Sequence, residues 1–287
     1  MAMNHKEKRA ARVQIFEDTM AWIQEDSTLH AAASRSDVNT ILLDEFADQR
    51  YFTRQGPPRI TVTPERTLEC AARLHRENAK RKIAVLNFAS ATHPGGGVTR
   101  GANAQEECLC RCTTLYPALK GAQAAPFYNM SEDSLHTDAC LYTPGVLAIK
   151  TDTDLPDRLP ESEWFRIDVV SCSAPNLRPH PASAMNPGDT APAHISNSAL
   201  EGLHTNRWSQ ILRAAAGRDD VLVLGAFGCG AFRNPPEIVA KAFKELQRDD
   251  PYLVDAFSEI VFAVYCPPQD DTNFRTFYKV LMEDDLP

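Results

Sequence analysis

The sequence predicts an α/β protein: a three-layer α/β/α sandwich around one mixed or mostly parallel sheet. Three observations carry this. Apolar strand segments alternate with helical segments after Gly56-Pro57-Pro58. Two glycine-rich loops, HPGGGVTRGANA and GAFGCGAFRNPP, each follow directly on such a strand. The chain has 287 residues, 43% hydrophobic and 24% charged, enough to bury a sizeable core.

Taken in order, Ala10–Gln24 and Val38–Arg50 show apolar residues at helical spacing, and residues 1–55 read as an N-terminal helical extension on a core spanning 56–287. Arg59–Thr63 is a strand, and Thr63-Pro64 supplies an N-cap and first-turn proline for a helix to about Asn78. Lys82–Ser90 is the strand leading into the first glycine loop, and a single helix runs from Gln105 to about Gly121. Val146–Asp152 and Phe165–Ser173 are strands, Pro175–Pro192 a proline-rich loop, and Ser198–Ala216 a helix. Val221–Phe227 is the strand before the second loop. Pro235–Asp249 (helix), Glu259–Cys266 (strand) and Asn273–Asp284 (helix) complete the pattern.

A net charge of −8 argues against general nucleic-acid binding, which draws on phosphate neutralisation. Met1–Arg12 is charged without an apolar core, and no apolar run is long enough to span a bilayer. The expectation is a cytoplasmic protein without a membrane anchor, or a nuclear one in a eukaryotic host. The eight cysteines are expected as free, mostly buried thiols. Cys108, Cys110 and Cys112 do not share one helical face, so no metal site is assigned to them.

Gly95, Gly96 and Gly97 in the first loop, and Gly225–Gly230 in the second, can present bare amides to phosphate oxygens. Neither loop is a Walker A motif or a GxGxxG dinucleotide fingerprint. Since ligands sit at the carboxyl ends of strands in such sheets, the expected ligand is a diphosphate held between the two loops. Asn103 is the expected N-cap of the following helix, which puts Glu106 at N3 of a capping box and leaves Glu107 free for acid chemistry.

The string GGGVTRGANAQEE fits the GGG-x6–8-QEE signature of poly(ADP-ribose) glycohydrolases, and NFASATHPGGGVTRGANAQEECLCRCTTLYPAL resembles their bacterial-type members. The resemblance implies a macrodomain-like core and cleavage of the ribose–ribose O-glycosidic bonds of poly(ADP-ribose), without metal or cofactor, in the reversal of ADP-ribosylation during the DNA damage response. It assigns Glu107 as catalytic acid, Glu106 as the acid holding the adjacent ribose, and Gln105 as the residue positioning that pair. Gly95, Gly96 and Gly97 are to lie against the diphosphate and distal ribose. Gly228, Cys229, Gly230 and Ala231 form the second diphosphate loop, with Phe227 beside the ribose. Tyr265 is placed against the adenine, Asn87 is a weaker site residue, and Glu65 is a candidate for reading the adenine amino group. ADP-ribosylated proteins or the free polymer are the implied partners, and ADP-ribose the product. Two alternatives stay open: a reader of ADP-ribose without turnover, and a hydrolase removing terminal mono-ADP-ribose. The reader has no use for Glu107.

Overall fold

The computed structural model describes residues 3–44, 52–53, 55–183, 189, 191–267 and 269–283. Seven strands form one sheet: β1 (Ile41–Leu43), β2 (Arg59–Thr63), β3 (Ile83–Phe88), β4 (Cys140–Ala148), β5 (Phe165–Cys172), β6 (Val221–Leu224) and β7 (Glu259–Ala263). Their order across the sheet is β1-β4-β5-β3-β6-β7-β2. β1 and β4 pair antiparallel, as do β4 and β5, and the other neighbours are parallel. The sheet is therefore mixed, as expected.

Nine α-helices are found among the described residues: α1 (His5–Glu25), α2 (Ser27–Val38), α3 (Thr67–Glu77), α4 (Gln105–Cys112), α5 (Leu115–Leu119), α6 (Asn197–Ala215), α7 (Pro236–Asp249), α8 (Pro251–Val254) and α9 (Thr272–Met282). Alternation along the central strands divides the core. Ala84, Leu86, Leu222, Leu224, Ile260 and Phe262 face Trp208 of α6, Phe243 of α7 and Phe277 of α9. Ile83, Val85, Val223 and Val261 face the other side, against Leu68 and Leu74 of α3, Leu109 of α4, Leu115 of α5 and Phe16 of α1. This is the three-layer sandwich. No helix among the described residues is long and apolar enough to cross a membrane.

Three elements depart from expectation. The helix expected over Val38–Arg50 is absent where the chain is described: α2 ends at Val38, and Ile41–Leu43 pairs with Tyr142–Cys140. Thr40 turns the chain by donating its hydroxyl to Ser36 O, and the edge of β4 then captures the apolar triplet that helical spacing suggested. Residues 45–50 lie outside the described residues. The first 55 residues thus contribute a strand to the core sheet as well as two helices.

The helix expected from Thr63-Pro64 begins only at Thr67, because Thr63 remains in β2 opposite Ala263. The single helix expected from Gln105 to Gly121 breaks at Thr113, which is extended and bridges to Ala148. Thr113 Oγ1 donates to Leu109 O, and Thr114 exchanges bonds with Leu147 through its N–H and its Oγ1. The hydroxyls and the nearby strand satisfy backbone groups that a continuous helix would have used. α4 is left as an eight-residue helix wholly inside the protein.

Trp208 joins the layers, being fully buried between Phe227, Phe243 and Phe262 with Nε1 donating to Val239 O at 3.0 Å. Trp208→Ala is expected to lower the unfolding free energy by about 3–5 kcal/mol, measurable by urea denaturation.

Candidate active site

β3 and β6 are parallel neighbours, so the loops that follow them leave the sheet side by side at its carboxyl edge, as expected. They do different things there.

The first loop turns back on α4. The helix is capped by Ala104, and Glu107, not Glu106, occupies N3. Glu107 Oε2 accepts the Ala104 N–H at 2.9 Å and Oε1 accepts the Gly97 N–H at 2.8 Å. The expected division of labour is therefore reversed at this point: Glu107 takes the capping bond. The helix begins one residue later than an Asn103 cap requires, because Asn103 Oδ1 is held by Arg111 Nη2 at 2.8 Å. Arg111 also donates to Ala102 O at 2.6 Å.

Glu106 points the other way, toward the end of β3. Its Oε2 accepts the Ser90 N–H at 2.8 Å, its Oε1 lies 3.4 Å from Asn87 Nδ2, and the Gly95 N–H donates to it as well. Asn87, fully buried, donates also to Ser171 Oγ at 3.0 Å. Glu106 and Glu107 are 3% and 7% exposed. Burial, followed by the charge of Glu107, pushes Glu106 well above the usual carboxylate range despite its donors.

Two amides of the glycine triplet go to carboxylates, Gly95 to Glu106 and Gly97 to Glu107, while Gly96 bonds His93 O. The expectation that these amides face a diphosphate is not met in this structure. Gly96 has φ +55°, and a Cβ there would sit 2.6 Å from Glu107 Oε1 and 3.0 Å from Glu106 Oε2. Both carboxyl groups converge on the space beside this residue, and only glycine leaves it open.

Gln105 locks the helix start to the strand. Its Nε2 donates to Leu86 O at 2.7 Å and to Thr67 Oγ1 at 3.1 Å, and its Oε1 accepts the Phe88 N–H at 2.9 Å. These bonds tie the start of α4 to β3 and α3.

The second loop lines the cleft itself. An open cavity of about 310 Å³ runs past Gln105 and Asn103 on one side and Gly228, Gly230, Ala231 and Phe232 on the other, ending at Tyr265. Gly230 has no atom within 4 Å of the position a Cβ would take, so its backbone faces open space. Gly228 is held tightly against Asn234, whose Nδ2 donates to Gly228 O at 3.0 Å and to Pro175 O at 2.8 Å. Asn234 Oδ1 accepts from Nε2 of His204, which burial keeps neutral with a pKa of about 4. Cys229 turns its thiol away, toward Phe227 O.

Phe227 is not in the cleft. It is fully buried between Phe88, His204 and Trp208, so the ribose-side role expected of it is physically closed. The aromatic that reaches the cleft from this loop is Phe232. Glu65 is likewise excluded from the cleft: both of its oxygens are held by Arg73, at 2.9 and 2.8 Å.

Tyr265 lines the cleft beyond the end of β7 and is 43% exposed. The Arg66 guanidinium lies 4.0 Å over its ring and pairs with Asp154 at 2.7 Å. Arg66, Asp152 and Asp154, none of them singled out from sequence, form the wall opposite the second loop. Cys108 also touches the cleft, while Cys112 bonds Thr151 O, so the two thiols have separate surroundings.

The comparisons with known proteins bear on this arrangement. The family model of the microbial-type poly(ADP-ribose) glycohydrolase catalytic domain matches residues 7–151. Among solved structures, the glycohydrolase of Thermomonospora curvata is 29% identical, covering 94% of this chain and 99% of that one, with a TM-score of 0.79. The same enzyme bound to the inhibitor ADP-HPD is 30% identical over 94% and 99% of the two chains, with a TM-score of 0.76. The glycohydrolase of Deinococcus radiodurans in complex with ADP-ribose is 32% identical, covering 87% of this chain and 97% of that one, with a TM-score of 0.71. No curated protein matches the chain.

Gly96→Ala is expected to reduce turnover by more than about a hundredfold without unfolding the protein, since the methyl group strikes both carboxyl groups. Circular dichroism beside an activity assay checks both parts. The raised Glu106 has a definite linkage sign. The native state binds the extra proton, so its contribution to stability is lost as pH rises from the ordinary value of 4.5 toward the raised one. Glu106→Gln is therefore expected to flatten the decline of Tm with pH above that point, measured by scanning calorimetry from pH 4 to 8.

Proposed function

The chain belongs to the microbial-type poly(ADP-ribose) glycohydrolases, glycosidases that act on poly(ADP-ribose), and from that premise we propose that its chemistry is carried by Glu107 within a carboxyl dyad completed by Glu106. The supporting observation is the convergence of both carboxyl groups beside Gly96, at the start of a helix that borders the cleft.

Burial, and then the charge of Glu107, raise the proton affinity of Glu106, so the pair disfavours a double negative charge. In the proposed sequence Glu107 enters in its acid form and delivers its proton to the leaving 2′-oxygen of the neighbouring adenosine ribose. The glycosidic C–O bond breaks with its electron pair leaving on that oxygen, and an oxocarbenium-like ribose forms. Glu107, now a carboxylate, removes a proton from the water that attacks the sugar carbon. ADP-ribose leaves, and the dyad regains its proton. Common glycosidases separate acid and base by about 5 Å or more across the sugar. Here neighbouring residues act on one side, so one group alternates between the two roles.

The rest of the cleft suits ADP-ribose. The exposed backbone of Gly228, Gly230 and Ala231 offers amides to the diphosphate, and Cys229 stays out of its way. Phe232 takes the sugar-side position expected of Phe227. Tyr265, backed by Arg66, offers its free face to the adenine.

Glu107→Gln is expected to lower release of ADP-ribose from auto-modified poly(ADP-ribose) polymerase by at least about a thousandfold while ADP-ribose still binds. Chromatography of the released nucleotide, beside calorimetric titration with ADP-ribose, measures both quantities. Full activity of the variant would refute the assignment. Binding without release by the wild type would make the chain a reader. Running mono-ADP-ribosylated protein in parallel tests the terminal-unit alternative.

A further inference from the structure

The cleft does not end at Arg66. Asp152 borders both the cleft and a second depression of about 840 Å³, which runs between α3 and the connection that follows β4. This depression shares His75, Ala79, Trp164 and Phe165 with a third, of about 700 Å³, at the end of the sheet where β3 and β6 begin. Each depression thus adjoins the next through shared lining residues. With eleven residues in α3, the far groove lies about 16 Å along the helix from the cleft.

The far groove is basic in a chain whose net charge is −8. Lys80, Lys82 and Arg166 stand exposed around it, and Arg218 lies 4.6 Å over the Tyr142 ring in its wall. Arg81 is spent on the buried Glu259. Two acids face the cations. Asp168 accepts from the Tyr142 hydroxyl and the Gly145 N–H. Asp219 is buried beside it, and burial, followed by the charge of Asp168, raises its proton affinity. Between groove and cleft the charges are mixed: Glu69 and Glu163 accompany Arg76, while Arg73 is held by Glu65 and Glu77. Aromatic surface is present as well, in half-buried Trp164 and in His75 stacked on Phe165 at 5.5 Å.

Adjoining depressions with the cleft at one end, cations at the other and aromatic rings beside them fit a ligand longer than the cleft. That ligand is a chain of nucleotide units with phosphates along it. We propose that the groove around Lys80, Lys82 and Arg166 is a second binding site for the polymer, holding the phosphates of units beyond the one in the cleft. The inference rests on the glycohydrolase reading for the identity of the chain. Single-stranded nucleic acid has the same chemical elements, but the line of adjoining depressions from the cleft favours the polymer being cleaved.

The test compares the wild type with Lys80→Glu/Lys82→Glu/Arg166→Glu, all three positions being exposed and outside the cleft. Binding of long, labelled poly(ADP-ribose) is measured across a salt series, and turnover is measured on both long chains and the ADP-ribose dimer. The triple variant is expected to bind long chains about tenfold more weakly and to lower the slope of log K against log salt by about 2. Its turnover of the dimer and its affinity for free ADP-ribose stay unchanged. Unchanged affinity for long chains, or an equal loss on chain and dimer, overturns the proposal. So does single-stranded DNA that binds the wild type as tightly as the polymer and is lost in the same variant. Lys80→Ala/Lys82→Ala supplies the same comparison should charge reversal lower Tm. A wild type that binds long chains through these residues yet cleaves neither substrate would sink the glycohydrolase reading and leave the groove standing.

Discussion

Two adjacent carboxyl groups at the start of a buried helix set the terms for everything around them. Removing a carboxylate from water costs several kcal/mol unless donors replace the lost hydration. Here Ser90, Gly95, Gly97 and Ala104 supply backbone N–H groups and Asn87 a side-chain amide. The requirement fixes where β3 must end, how the glycine loop must turn, and why Gln105 anchors the helix by two bonds to that strand and one to Thr67 of α3. Even with these donors, burial leaves Glu106 with a raised proton affinity.

That arrangement depends on the N-terminal helices. Arg9 and Arg12 of α1 donate to the carbonyls of Arg100 and Gly101, and Thr19 donates to Arg111 O. Arg111 in turn holds Ala102 and Asn103. The segment between glycine triplet and glutamates is thus gripped from both sides by guanidinium groups. With β1 paired to β4, the first helices work as part of the site's frame.

The two glycine loops share one sheet edge and divide the labour. The first solvates the acids, and the second lines the cleft. Their difference comes from the segment that each loop leads into. An acidic helix start folds the first loop inward, whereas Asn234 holds the second by its Gly228 carbonyl and leaves Gly230 free. The Arg66–Tyr265 stack marks the cleft's far end, and the furrow along α3 extends it toward the cations beyond.

Much of this was legible in the sequence because it is local. Strand–loop–helix order gave the sandwich, and spacing placed the glycine triplet and Gln105-Glu106-Glu107 at one sheet edge. The features that escaped it depend on partners distant along the chain. Whether Ile41–Leu43 is helix or strand was decided by its pairing with the distant residues Cys140–Tyr142 of β4. Thr113 and Thr114 broke a plausible helix because β4 lay ready to bond them. Phe227 and Phe232 are equivalent as letters, and only packing against Trp208 sent one to the core and left the other to the cleft. The sequence by itself determined that the glycine triplet and Gln105-Glu106-Glu107 stand at one strand-to-helix junction, since residue type and spacing decide that. Tertiary structure decided which glutamate caps the helix, which glycines face a carboxylate, and which aromatic reaches the cleft, because burial and hydrogen bonding arise only when separate segments meet.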